Sequence, residues 1–274
     1  MKVVHVCHLY HPSEGGVQFW FKNVSERLVR DYGDDVTVVT TNSYYGPERK
    51  IFKKVEPATE NINGVKVIRF SYRRWHLKWA SFLFRIMRRL GLRISDELRT
   101  VATGPYSKEM KQYLMTVSAD AICASSSNYY YMQLPLWRMC NFFYFGSIHL
   151  SEDESKPVLN ELQLQCINSS KIYLANTFYE KARLVKAGVD SNKIKVLGVG
   201  VDEKLFDISL EEKTACRNAL NIPGNGILIG YAGRIERTKS VLVLVKSFAE
   251  LASLNPDLYL VIAGAGSNYV AELE

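Results

Sequence analysis

The sequence predicts an α/β protein in which parallel β-sheets carry helices on both faces. Short runs of β-branched and aromatic residues alternate with helix-length segments. The runs are apolar almost throughout, as strands buried on both faces are. Two loops, one rich in glycine and one in charge, each follow a strand and precede a helix. We therefore expect a doubly wound domain over residues 1–207 and the beginning of a second such domain over residues 208–274.

The elements of the first domain follow from these runs. Strands are expected at residues 3–7, 36–40, 65–70, 119–124, 142–145, 171–175 and 194–197. Helices are expected from Val17 onward and over residues 75–93, 155–168 and 177–187. The last of these ends at Ala187-Gly188 after several basic residues, which suit a helix C-terminus.

The second domain shows the same alternation over a shorter stretch. Helices are expected over residues 210–220 and 241–254, strands over 227–232 and 259–263, and a further helix after Gly266. Two strands with their helices cannot bury their own apolar faces. Residues 208–274 are therefore expected to be the first part of a larger domain.

Composition excludes several classes of protein. With 47% hydrophobic residues the chain can form a core, and no apolar stretch reaches the ~18 residues of a membrane span. The N-terminus lacks the pattern of a signal peptide, and the five cysteines are widely spaced without a C-x-x-C pair. No H-E-x-x-H, Walker A or G-x-S-x-G motif occurs. We expect a cytoplasmic protein without a structural metal.

Positive charge is concentrated in one segment. The whole chain has a net charge of +7, whereas residues 66–113 hold twelve lysines and arginines against three acidic residues. Within it, residues 75–93 predict a basic amphipathic helix. Its apolar face carries Trp79, Phe82, Leu83, Ile86 and Leu90, and its basic face carries Arg85, Arg88 and Arg89. This pattern is typical of a peripheral helix on an anionic membrane, here the inner face of the cytoplasmic membrane.

The basic helix has two other interpretations. An ordinary helix that packs its apolar face on the core and leaves its basic face in water is at least as common. Nucleic-acid binding is disfavoured because no recognition module accompanies the charge.

The stretch Pro12–Val17 joins the first strand to the first helix. Free backbone N–H groups at such a helix N-terminus can hold an anion, and Gly15 and Gly16 let a ligand approach the backbone closely. A tight turn explains the glycines equally well. The third glycine of a dinucleotide fingerprint is absent, which argues against NAD.

The stretch Gly233–Lys239 is a sharper signal. It lies between a strand and a helix at the carboxyl edge of the second sheet, where open α/β sheets bind ligands. Arg234 offers a planar fork to phosphate oxygens and Lys239 a point charge, so both could converge on one diphosphate. The alternative is a solvated charged loop.

Histidines supply further candidates. His149 follows the strand at 142–145 and could hydrogen-bond a substrate hydroxyl or move a proton, although a structural role is as common. His5, His8 and His11 are spaced like ligands, but the odd spacing points His5 and His8 to opposite faces of a strand, which disfavours a metal site.

Together these motifs resemble the family 4 (group 1) glycosyltransferases. The resemblance rests on the glycine loop at 12–16, on Phe145-Gly146-Ser147-Ile148-His149, on the crossover at 196–206, on the G-R-x-x-x-x-K loop at 233–239 and on the strand with its glycines at 258–266. It implies the GT-B fold, in which two Rossmann-like domains face a cleft.

The resemblance also implies a reaction and roles. Arg234, Lys239 and Gly233 would hold the diphosphate of a nucleotide-sugar donor, Gly15 and Gly16 would lie near the donor phosphates and the acceptor, and His149 near the donor sugar. Transfer to a glycan or lipid-linked acceptor would retain the anomeric configuration and need no metal or other cofactor. The expected setting is polysaccharide or cell-envelope glycan synthesis.

The sequence departs from the family pattern in places. Ser240 stands where the family usually has glycine, and the family's glutamate pair is expected beyond residue 274, which indicates a truncated second domain. Two alternatives therefore stay open. One is a non-catalytic fragment or interaction module, and the other is a nucleotide-sugar epimerase of the same fold.

Overall fold

The computed structural model describes residues 1–13, 15–45, 52–72, 75–92, 94–126, 128–146, 148, 150 and 157–265. The described chain forms two compact units, one of residues 1–45 and 52–199, and a second that begins at Gly200. The domain boundary expected at residues 207 and 208 stays a prediction.

Strands of the first unit build one large sheet and a small hairpin. They are β1 (Lys2–Val6), β2 (Asp35–Thr41), β3 (Ser43–Tyr45), β4 (Phe52–Lys54), β5 (Thr59–Ile62), β6 (Val65–Phe70), β7 (Ala121–Ser125), β8 (Phe142–Phe145), β9 (Ile172–Ala175) and β10 (Ile194–Val196). The large sheet has the order β10-β9-β8-β7-β1-β2-β6-β5, and every pairing in it is parallel except that of β5 with β6. The chain moves outward from β1 on one side and from β7 on the other, so the sheet is doubly wound.

Helices of the described first unit cover both faces of that sheet. They are α1 (Gly16–Tyr32), α2 (Trp75–Arg89), α3 (Asp96–Thr103), α4 (Lys108–Thr116), α5 (Leu134–Trp137), α6 (Glu161–Ser169) and α7 (Phe178–Lys186). On one face Phe21 of α1 packs with Val36 and Val38 of β2. On the other face residues of α4, α5, α6 and α7 pack with β1, β7 and β8. A core on each face makes the strands apolar throughout, as their sequences predict.

The first unit also contains elements that the sequence analysis did not predict. These are the β3–β4 hairpin, the antiparallel edge strand β5 and the short helices α3, α4 and α5. Helix α6 begins at Glu161 rather than at residue 155. There Asn160 and Gln163 form a capping box, with each side chain bonded to the other's backbone N–H.

The second unit repeats a strand–helix–strand arrangement. It contains α8 (Leu210–Ala219), β11 (Ile227–Ala232), α9 (Val241–Ala252) and β12 (Leu258–Ala263). Strands β11 and β12 are parallel, with Ile227 opposite Leu258 and Ala232 opposite Ala263. Val241 of α9 and Ile235 of the preceding loop are buried against this pair.

Candidate functional site

The two inner strands of the first unit separate at their carboxyl ends. Strands β1 and β7 pair as far as Val6 and Ala124. Beyond that point the Tyr131 hydroxyl donates a 2.9 Å hydrogen bond to the Ser125 carbonyl. Strand order reverses here, and such a switch point is where open α/β sheets bind ligands.

The glycine loop leads from β1 into α1. Gly15 is the N-cap of α1 and makes no side-chain cap, while a Cβ at this position would collide with the Gln18 side chain. Gly16 is exposed, and a Cβ there would meet no atom within 4 Å. The first turn of α1 contains no acidic residue. The positive end of the α1 dipole is therefore not offset by a carboxylate within its own first turn, which suits an anion site.

The strand expected to end in histidine stops at Phe145. Gly146 follows it, and a Cβ there would lie 2.9 Å from both the Leu174 carbonyl and the Glu180 carboxylate. Glu180 is buried and accepts hydrogen bonds from the Tyr173 hydroxyl at 2.6 Å and the Asn176 N–H at 2.7 Å. His149 lies outside the described residues, so its proposed role stays a prediction.

The other histidines have separate environments. His5 is buried on the α1 face, where its Nδ1 lies 2.7 Å from the Ser25 hydroxyl. His8 stacks on Tyr129 with ring centroids 4.1 Å apart. Burial lowers the pKa of each histidine to about 4. The two rings point to opposite faces of the sheet, as the spacing predicts.

The charged loop of the second unit lies at the carboxyl ends of β11 and β12. The Gly233 N–H donates to the Ala263 carbonyl at 2.9 Å, and the Ile235 N–H donates to the Ala265 carbonyl at 3.0 Å. A Cβ on Gly264 would collide with the Gly233 carbonyl, so the two chain segments touch through their backbones. The loop is thus fixed to the sheet at both strands.

Arg234 forms an ion pair within this loop. Its guanidinium lies 2.6 Å from the Glu236 carboxylate, and its side chain is about one-third exposed. The Tyr231 hydroxyl donates a 2.8 Å hydrogen bond to the Arg234 carbonyl. Sequence analysis did not single out Glu236 or Tyr231, because neither residue type signals phosphate binding by itself.

Lys239 lies at the far end of the loop, beside the N-terminus of α9. It is exposed and ends a short 3-10 turn over Arg237–Lys239. Ser240 then adopts a left-handed conformation, with φ of 54°, before α9 begins at Val241. Glycine adopts this conformation more readily than a residue with a Cβ does. Arg234, Lys239 and the positive end of α9 thus belong to one strand-to-helix loop.

The basic helix α2 exposes its apolar face. Trp79 is 61% exposed and Phe82 is 52% exposed, and Leu83, Ile86 and Leu90 are exposed as well. Ala80, by contrast, is a buried residue of α2. The interpretation in which Trp79 and Phe82 face the core is therefore wrong. Arg85 and Arg89 are exposed, and the Arg88 side chain lies outside what the structure describes.

Among the described residues, no helix combines the length and apolar character that crossing a bilayer requires.

Comparisons with known proteins agree with these observations. Residues 212–274 match the model of the family "Glycosyl transferases group 1". The chain is 26% identical to an uncharacterized glycosyltransferase of Methanocaldococcus jannaschii over 100% of its own length and 66% of the relative. It is 33% identical to a D-inositol 3-phosphate glycosyltransferase of Stackebrandtia nassauensis over 46% of its length and 30% of the relative.

A solved structure extends the likeness to the fold. Anabaena Alr3699/HepE in complex with UDP superposes with a TM-score of 0.62 at 15% identity, covering 100% of this chain and 64% of that one. The chain thus spans less than two thirds of that protein and of the two relatives above. The comparisons confirm the predicted resemblance to the group 1 glycosyltransferases, and the solved structure confirms the GT-B fold class.

Proposed function

We propose that this protein transfers a sugar from a nucleotide-diphosphate sugar to a glycan or lipid-linked acceptor, with retention of the anomeric configuration. The observation that carries the proposal is the loop Gly233–Lys239. It places two cations at the carboxyl edge of a parallel sheet and ends at the N-terminus of α9. The relatives are named as glycosyltransferases, and the HepE structure contains UDP.

In this proposal Arg234 and Lys239 bind the diphosphate of the donor. When the bond between the sugar and the diphosphate breaks, negative charge develops on the leaving phosphate oxygen. A guanidinium, an ammonium and the N–H groups that open α9 would stabilise that charge in an already organised geometry. These cations would supply the charge stabilisation that a divalent metal supplies in other transferases, so we propose a metal-independent reaction.

In the first unit we assign the glycine loop to a second set of ligand contacts. Gly15 is the N-cap of α1 and Gly16 its first residue, so we propose that donor phosphates or acceptor approach their backbone. His149 stays a proposed contact of the donor sugar.

We also propose that α2 attaches the protein to an anionic membrane surface, where a lipid-linked acceptor would be found. The exposed Trp79 and Phe82 would enter the lipid interface, and Arg85 and Arg89 would meet its negative charge. This attachment is the ground for proposing glycolipid or cell-envelope glycan synthesis as the setting.

Calorimetric titration of the 274-residue chain with UDP, GDP and ADP tests the donor site. Loss of one charge-assisted hydrogen bond removes about 1.5–3 kcal/mol, so we expect Arg234→Ala or Lys239→Ala to weaken binding about ten- to a hundredfold. Lys246→Ala is the matched control, because Lys246 is an exposed lysine farther along α9. Equal affinity in all four proteins would contradict the assignment. Conversion of a donor sugar to its epimer without an acceptor would favour the epimerase.

A further inference from the structure

The loop Gly233–Lys239 contains a carboxylate, Glu236, as well as its three cations Arg234, Arg237 and Lys239. One oxygen of Glu236 lies 2.6 Å from Arg234 Nη1, and the other accepts a 3.3 Å hydrogen bond from the Thr238 hydroxyl. The Glu236 side chain is only 23% exposed. Both oxygens are therefore engaged within the loop, and the carboxylate is held beside Arg234.

This placement brings a negative charge close to any anion on Arg234. A phosphate oxygen that accepts from the same guanidinium would lie within about 8 Å of the carboxylate, as the hydrogen-bond lengths dictate. Two like charges about 6 Å apart near a protein surface repel each other enough to change a dissociation constant about three- to thirtyfold per unit charge. Glu236 thus makes the affinity of the loop depend on the charge of the anion.

Donor and product of the proposed reaction differ by one such charge. A diphosphate linked at both ends carries two negative charges. When the bond between the anomeric carbon and the phosphate oxygen breaks, the oxygen keeps the electron pair, and the nucleoside diphosphate carries close to three charges above the second phosphate pKa of about 6. The extra charge lies on the terminal phosphate.

We propose that Glu236 is a specificity-determining residue that disfavours the free nucleoside diphosphate relative to the sugar-linked donor. The inference rests on the proposed function, because it takes Arg234 as a diphosphate ligand. Repulsion from Glu236 promotes release of the product and limits inhibition by it. The orientation that Glu236 gives to Arg234 is kept at the same time.

Titration of the full chain at low salt and pH 7.5 tests the proposal. The six probes are UDP, GDP and ADP and the glucose ester of each, titrated separately. In Glu236→Gln the side chain can still accept a hydrogen bond from Arg234 but has lost its charge. We expect Glu236→Gln to bind the free diphosphate about three- to thirtyfold more tightly than the wild type does. The gain in affinity for the glucose ester should be smaller. The ratio of the two dissociation constants should change at least about threefold.

Two further variants separate charge from structure. Glu236→Asp keeps the charge and should keep the wild-type ratio of the two dissociation constants. Glu250→Gln removes an exposed charge outside the loop, on α9, and should change neither dissociation constant. An unchanged ratio in Glu236→Gln, or weaker binding of both probes, would overturn the role of Glu236 while leaving the donor site intact. If neither the wild type nor Glu236→Gln bound any of the six probes, the proposed function and this inference would both fail.

Discussion

The Tyr231 hydroxyl, near the end of β11, donates a 2.8 Å hydrogen bond to the backbone carbonyl of Arg234. This bond ties the residue that carries the guanidinium to the strand that precedes it. A side chain on a strand is more rigid than one on a free loop, so the bond fixes where the Arg234 side chain starts.

We therefore expect Tyr231→Phe to weaken nucleotide diphosphate binding. One neutral hydrogen bond contributes about 1 kcal/mol, which corresponds to a loss of about fivefold in affinity. Calorimetric titration measures this. Tyr259→Phe is the control: the Tyr259 ring, on the neighbouring strand β12, packs beside Gly226, at the end of β11 opposite the loop, so this variant should bind as the wild type does. A larger loss in Tyr259→Phe than in Tyr231→Phe would contradict the role of the bond.

The backbone conformation of Ser240, in the same loop, lowers the stability of the protein. Its φ of 54° is the left-handed conformation, which costs a residue with a Cβ about 1 kcal/mol relative to glycine. Ser240→Gly should therefore stabilise the protein by about 0.5–1 kcal/mol, measured as the free energy of unfolding in urea. Ser240→Ala removes the hydroxyl but keeps the Cβ, so it should give no such gain. Stabilisation by both variants to the same extent would indicate that φ is not the cause.

The sequence predicts most of the sheet because strand formation here depends on local composition. The run Phe142–Phe145 matches β8 residue for residue, and 227–232 matches β11. The edge strand β5 was not predicted because Thr59–Ile62 mixes polar and apolar residues, and only pairing with β6 makes it a strand. The late start of α6 depends on a capping box at Asn160 that outweighs the helical periodicity upstream.

The candidate site was predictable in its cations but not in its supporting contacts. Arg234 and Lys239 stand out because their residue types and spacing suit a diphosphate. Glu236 and Tyr231 act through distances that only the folded loop defines. The exposure of Trp79 was also not predictable, because helical periodicity places residues on one face without saying whether that face meets the core or water.

Buried histidines make stability depend on pH. Burial lowers the pKa of His5 from 6.5 to about 4, so the folded state binds fewer protons than the unfolded state in this range. Stability from His5 is fully present above pH 6.5 and is lost as the pH falls toward 4. The linkage relation gives a loss of about 2 kcal/mol between pH 7 and pH 5. Urea unfolding at both values measures it.

A variant isolates this contribution from other titrating groups. His5→Gln cannot take up a proton, so its free energy of unfolding should fall by about 2 kcal/mol less than that of the wild type between pH 7 and pH 5. Only this difference between the two pH values counts, because the substitution itself changes stability at every pH. Parallel losses in the two proteins would show that His5 titrates alike in the folded and unfolded states.

Membrane attachment through α2 predicts a dependence on both lipid charge and salt. The protein should float with vesicles that contain anionic phospholipid at low ionic strength and detach at high salt, because the arginine contacts are screened. Each arginine near an anionic surface contributes about 1 kcal/mol. Replacing Arg85 and Arg89 by glutamine should therefore lower partitioning roughly tenfold or more.

Two further proteins make the flotation experiment specific to this helix. Trp79→Ser with Phe82→Ser removes exposed apolar area and should weaken flotation at low salt, since part of the binding comes from insertion into the interface. Lys171→Gln with Lys195→Gln removes two charges from exposed lysines elsewhere in the same unit and should float as the wild type does. Equal flotation of the arginine and lysine pairs would mean that net charge, and not α2, attracts the protein to the membrane.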